Sequence, residues 1–176
     1  MSLDIRAVGK GYSLWLIPGE PLFSRLAGEI ARLSRDLATP LFEPHITLLG
    51  GITLPEEDVL ARSVSLAGSL KPFQIELGDI GYLDEYFRCL FVRVVPAAPI
   101  LKAHRAAQAA FRLRDQPAYM PHVSLVYGKL AMEMKEKIAA EFGRLAGQSF
   151  EANSLVVYQV RGTPCEWNLI KTLEFH

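Results

Sequence analysis

Pro44-His45-Ile46-Thr47-Leu48 and Pro121-His122-Val123-Ser124-Leu125 are one phrase written twice: proline, histidine, an apolar residue, a hydroxyl residue, leucine. In an extended strand side chains alternate between faces, so residues two apart point the same way. His45 and Thr47 then share a face, as do His122 and Ser124, while Ile46, Leu48, Val123 and Leu125 turn to the other side for burial. Each phrase predicts a strand with an apolar back and a front carrying one imidazole and one hydroxyl. Two such fronts facing each other across a cleft bring two histidines and two hydroxyls onto one small anion. A lone histidine in an apolar strand is more often structural. Two of the chain's four histidines in one repeated context argue for a shared task.

Working outward, Tyr12 to Ile17 reads as a strand stopped by Pro18-Gly19. Leu22, Leu26, Ile30 and Leu33 recur at helical spacing after Pro21, predicting a helix that ends near Leu37. The first motif strand closes on Gly50-Gly51, a turn rather than a phosphate cradle because no P-loop lysine follows. Thr53-Leu54-Pro55-Glu56-Glu57 predicts a Thr-capped helix running to about Ser69. Strands are expected over Phe73–Leu83 and Tyr86–Val95. A third helix follows over Ile100–Leu113, with Leu101, His104, Gln108 and Phe111 at helical steps. Arg112, Arg114 and Asp115 lead into a loop before the second motif. A helix over Ala131–Leu145 and strands near Phe150–Arg161 and Glu166–Leu173 finish the chain.

The spacing of the motifs extends to these elements. His122 lies 77 residues after His45 (122 − 45), and Phe150 lies the same distance after Phe73 (150 − 73). Pro121 matches Pro44, and Gly128 matches Gly51. This is an internal duplication of a β-α-β-α-β unit. It predicts one bilobal α+β domain over residues 1–176, with pseudo-repeats at about 11–83 and 86–161.

Lysine plus arginine equals aspartate plus glutamate at 19 each, so no net field draws long nucleic acid or an anionic membrane. No apolar run approaches the roughly 18 residues of a membrane span. No charged-then-apolar leader opens the chain, so a cytoplasmic location is expected. Cys89 and Cys165 are widely spaced and read as free thiols. No Asp, Glu or Cys sits at ligand spacing beside either motif histidine, so neither metal nor cofactor is expected.

The paired phrases resemble the 2H phosphoesterases, which are defined by two copies of His-x-Thr/Ser-x. Tyr12-Ser13-Leu14-Trp15, Ile17-Pro18, Phe42-Glu43-Pro44-His45 and Tyr119 through Tyr127 are similar in detail to the cyclic phosphodiesterase branch known from plants and fungi. The resemblance implies a bilobal fold with antiparallel sheets lining a central cleft and helices outside. It implies metal-free opening of ADP-ribose 1″,2″-cyclic phosphate or nucleoside 2′,3′-cyclic phosphates to the 1″- or 2′-monoester. It also implies that Trp15 and Tyr127 line the substrate cleft.

The chemistry fits the residue types. Water attacks phosphorus while a sugar oxygen leaves, so one group takes the water's proton and another protonates the leaving oxygen. Imidazole serves either role near neutrality, leaving open which of His45 and His122 is base and which acid. Thr47 and Ser124 are the candidate donors to the non-bridging oxygens. Tyr119 is a further substrate-binding candidate, and Arg88, Arg93 and Arg161 are weaker phosphate partners. His104 reads as surface or core, and His176 as a terminal residue. The expected partner is a small cyclic phosphate met by a monomer. The alternatives are RNA end processing at 2′,3′-cyclic or 2′-5′ linkages, a non-catalytic nucleotide-binding module and, least favoured, a metal hydrolase.

Overall fold

The apolar backs of the two motifs form the centre of the molecule: Ile46, Leu48, Val123 and Leu125 are all buried, as the alternation requires. The computed structural model describes residues 9–113, 118–142 and 145–176. Its strands are β1 (Tyr12–Leu16), β2 (Ile46–Ile52), β3 (Phe73–Tyr82), β4 (Leu90–Val94), β5 (His122–Val126), β6 (Ser149–Ala152), β7 (Ser154–Gln159) and β8 (Asn168–Glu174). The helices are α1 (Leu22–Leu37), α2 (Glu56–Ser69), α3 (Ala98–Phe111) and α4 (Met132–Glu141). The fold is α+β. Among the described residues the strands form one antiparallel sheet in the order β6-β3-β4-β5-β2-β1-β7-β8.

The middle of that order is where the motifs meet. Ile46 of β2 lies opposite Val123 of β5, and these are equivalent residues of the two phrases. Outward from them the sequence of strands is the same on both sides: β1 beside β2 as β4 is beside β5, then β7 and β3. The half-sheets are thus joined, and each takes an outer strand from the other unit. One residue, Asn153, separates β6 at one edge from β7, second from the other edge. Consecutive Cα atoms are only about 3.8 Å apart, so the sheet must curl until those edges approach.

The helices cross over in the same way, α1 packing on β5 and α3 on β2, while α2 lies on β7 and β8 and α4 on β3. Leu22, Leu26, Ile30 and Leu33 form the buried stripe of α1. Fully burying each such side chain is worth about 1.5–3 kcal/mol. Gly51 and Gly128, which follow the two motifs, both have positive φ, 73° and 152°.

Local expectations needed five corrections. Thr53 does not cap α2: Pro55 occupies the N-cap and no side chain bonds there, leaving Glu56, Glu57 and Asp58 to complement the positive end. Tyr86–Arg88 form a 3₁₀ turn closed by Arg88 N–H to the Glu85 carbonyl (3.2 Å), so the strand begins only at Leu90. The buried face of α3 is Ile100, Ala103, His104, Ala107 and Phe111, so of the expected helical steps His104 and Phe111 are buried while Leu101 and Gln108 lie at the margin. The expected strand near Phe150–Arg161 is two strands, β6 and β7, since its halves pair with β3 and β1 respectively. Finally, α4 stops at Glu141, with Phe142 as its C-cap. The loop residues Arg114 and Asp115 lie outside the described residues.

Candidate active site

The polar fronts of β2 and β5 open onto a cavity of about 590 Å³ whose walls include His45, Thr47, His122 and Ser124. The antiparallel register through Ile46 and Val123 sets His45 toward Ser124 and Thr47 toward His122. Each imidazole is held in the same way. Nδ1 of His45 lies 2.7 Å from the Glu43 carbonyl, and Nδ1 of His122 lies 2.8 Å from the Met120 carbonyl. A carbonyl only accepts, so Nδ1 must carry the proton in both rings, which makes Nε2 the basic nitrogen of each neutral imidazole. In both motifs the accepting carbonyl belongs to the residue before the proline. A residue preceding proline favours an extended backbone, which puts that carbonyl within reach of the ring two residues on.

The surroundings of the two rings differ. His45 is buried and lies flat against Trp15, ring centroids 3.6 Å apart and planes 10° apart, while the Tyr127 hydroxyl is 3.5 Å from its Nε2. Burial pushes the His45 pKa down to about 4, against the raising effect of the Glu43 carbonyl and with a further lowering by His122. His122 is half-buried, with Phe91 5.0 Å away at a tilt of 58°. Its pKa is also lowered, chiefly by burial; the Met120 carbonyl and Glu85 raise it and Arg88 lowers it.

The hydroxyls differ too. Ser124 Oγ donates to the Phe87 carbonyl at 3.1 Å. Thr47 has no side-chain hydrogen bond among the described residues, although its backbone carbonyl accepts from the Tyr119 hydroxyl at 3.1 Å. Tyr119 stacks on His104 at 3.8 Å, and His104 Nδ1 donates to the Leu48 carbonyl at 2.7 Å. Burial raises the pKa of both Tyr119 and Tyr127.

Trp15, Tyr119 and Tyr127 all line the cavity. Trp15 has its second face covered by Tyr158 at 3.8 Å, so neither face is open to stack on a ligand. Tyr127 is likewise stacked, by Phe42 at 3.8 Å. Among the arginines weighed from sequence, Arg88 lines the cavity and pairs with Glu85, whereas Arg93 and Arg161 lie over Phe91 and Tyr12 away from its walls. Among the described residues no three His, Cys, Asp or Glu side chains gather as a metal-holding group.

Residues 19–164 match the family model of the 2′-5′ RNA ligase superfamily. The chain belongs to that superfamily. It is an enzyme of the 2H phosphoesterase class that the paired motifs resemble. A superfamily relative, the cyclic phosphodiesterase of Arabidopsis thaliana, is 26% identical over 150 residues, spanning 83% of each chain. Among solved structures, TT0787 of Thermus thermophilus aligns with a TM-score of 0.69 at 18% identity, covering 94% of this chain and 97% of its own. E. coli LigT complexed with 3′-AMP gives a TM-score of 0.62 at 12% identity, with 95% and 98% covered.

Phe87 and Trp167 also belong to the cavity wall, and sequence reasoning did not select them. Phe87 stands in the 3₁₀ turn Tyr86–Arg88, where alternation along the chain predicts a strand. Trp167 follows a second such turn, Pro164–Glu166, and carries no motif; only folding brings its ring to 6.1 Å from Phe87 and 5.9 Å from Tyr127. His104 has no counterpart in the first unit and reaches the cavity only through the packing of α3 on β2.

Proposed function

We propose that this superfamily member is a cyclic phosphodiesterase that opens a small cyclic phosphate to a monoester by two-histidine acid–base catalysis without a metal. The observation that supports it most is the pair of imidazoles at one cavity, each with Nδ1 tied to the carbonyl two residues back so that Nε2 is its basic nitrogen. Water attacks phosphorus in line, the phosphorus bond to one sugar oxygen breaks, one Nε2 takes the water's proton and the other imidazolium returns a proton to the departing oxygen. The deeper burial of His45 favours the neutral, base role for it and the acid role for His122. Thr47 is the donor to a non-bridging oxygen, and Ser124 serves the same anion once its bond to Phe87 is exchanged. We read the chain as one domain of two duplicated units whose motifs share this site.

A cavity of about 590 Å³ falls in the range that encloses small organic ligands, roughly 300–1,000 Å³. ADP-ribose 1″,2″-cyclic phosphate and nucleoside 2′,3′-cyclic phosphates are the proposed substrates. The name of the superfamily favours a second reading, processing of 2′,3′-cyclic or 2′-5′ RNA ends. One experiment tests both: EDTA-treated protein is offered ADP-ribose cyclic phosphate, cyclic mononucleotides and oligoribonucleotides with cyclic ends, and the products are identified. Turnover of the small substrates is expected. Inert mononucleotides with processed oligonucleotides would transfer the reading to RNA ends, and activity restored only by added metal would overturn the mechanism.

A further inference from the structure

Trp15 is the middle ring of three. His45 covers one face at 3.6 Å and Tyr158 of β7 the other at 3.8 Å, with interplanar angles of 10° and 20°. The indole is fixed in its own plane because Nε1 donates to Ser13 Oγ at 2.8 Å, and Ser13 donates onward to the Leu49 carbonyl at 3.3 Å. The outer ring is fixed as well: the Tyr158 hydroxyl donates to the Glu43 carboxylate. Glu43 is the residue whose backbone carbonyl accepts the Nδ1 proton of His45. Contacts therefore run in a closed loop through Tyr158, Trp15, His45 and Glu43.

We propose that Tyr158 and Glu43 are positioning residues for His45, holding its ring plane and tautomer through the Trp15 stack and the Glu43 carbonyl. This rests on the catalytic reading of His45 above. Two observations separate it from ordinary core packing. Glu43 is exposed, so its carboxylate fills no apolar space, and its contact with Tyr158 instead ties down the segment that carries the carbonyl. The second unit also lacks the device: a shift of 77 residues puts Val92, Gly81 and Met120 where Trp15, Tyr158 and Glu43 stand. A Cβ added at Gly81 would meet the Phe91 ring at 2.6 Å, so that position is filled by a neighbour and holds no platform of its own.

An imidazole clamped in this way is set for reaction before substrate arrives, and loosening it costs turnover rather than binding. At metal sites, groups that orient a histidine from behind are worth about 10–100-fold in activity, and the same order is expected here. Tyr158→Leu removes the outer ring and should lower kcat by about that factor with KM little changed. Tyr158→Phe keeps the stack and should recover most of the loss. Glu43→Ala, at an exposed position that preserves the backbone carbonyl, should fall toward the low end of the range, and it decides the matter if Tyr158→Leu does not fold.

The second measurement needs no turnover: nitrogen-15 NMR of the histidine rings. Wild-type His45 should be wholly the Nδ1–H tautomer and resist protonation down to a low pH. In Tyr158→Leu, Nε2–H should appear and protonation should begin at a higher pH, while His122 stays unchanged. Besides burial, the His45 titration is set by the Glu43 carbonyl and His122; the Tyr127 hydroxyl faces its Nε2, Tyr158 and the Glu43 carboxylate lie behind Trp15, and Arg88 and Glu85 act on His122. Wild-type kcat together with unaltered His45 resonances in Tyr158→Leu or Glu43→Ala would overturn the proposal. If the wild type turns over no cyclic phosphate, the catalytic reading fails, and the ring resonances still decide whether Tyr158 and Glu43 hold His45.

Discussion

His45 lies beneath Trp15 with only 5% of its surface exposed, whereas His122 is half-buried beside a tilted Phe91 ring. Yet the two rings share one local bond, Nδ1 to the carbonyl two residues back, at 2.7 and 2.8 Å. The comparison separates two layers of design. The motif and its proline set the tautomer in both copies, and the flanking strands set dielectric and access differently for each. The two phrases thus hold their imidazoles by matching local bonds, while the surroundings differ in burial, which lowers both pKa values and, on the proposed mechanism, would let the two rings take different roles.

The largest effects should come from removing either ring. His45→Ala and His122→Ala are each expected to lower kcat/KM by about 10²–10⁴-fold, the contribution of a positioned proton-transfer group. The double variant should be little worse than the weaker single one, because the groups act as a unit. Full activity in either single variant, measured by steady-state assay, would break the comparison at its root.

The hydroxyls should sharpen it. Removing a donor to developing charge costs roughly 10²–10³-fold, and Thr47→Val should reach that range because the Thr47 hydroxyl is not engaged by the described residues. Ser124→Ala should cost less, about 10-fold and so below that range, since Ser124 already donates to the Phe87 carbonyl. Equal losses would show that this bond is exchanged freely on binding.

Acidification should expose the buried ring through stability. His45 titrates near 4 in the folded protein and near 6.5 when unfolded. The unfolded chain therefore binds more protons between those values, and stability is full above about pH 6.5 and falls as pH drops toward 4. The loss is on the order of 3 kcal/mol, readable from chemical denaturation across that window. In His45→Ala the dependence should flatten, while His122→Ala should retain most of it. The reverse order would contradict the burial contrast.

The smallest signal is a shift in the pH profile. With His45 as base and His122 as acid, kcat/KM should form a bell whose acid limb lies near 4 and whose alkaline limb lies below the ordinary histidine value. Both limbs belong to the coupled pair. A rate rising steadily into alkaline pH would point to a hydroxide nucleophile instead.

The sequence by itself determined whatever depends on neighbours along the chain. Alternation placed Ile46, Leu48, Val123 and Leu125 in the core and the histidines and hydroxyls on the front, and helical spacing found the buried stripe of α1. The 77-residue shift between the motifs also relates the strands beside them, β1 next to β2 as β4 is next to β5. Only the tertiary structure decided what depends on approach between distant segments. The exchange of β3 and β7 between the half-sheets and the curl forced at Asn153 follow from strand pairing, which leaves no local mark. Trp167 and Phe87 meet at the cavity across that curl, and His104 arrives through the packing of α3. Trp15 lines the cavity, and only the fold placed its two faces against His45 and Tyr158. An aromatic ring's partners are set by which strands lie next to each other, and one strand's sequence does not contain that.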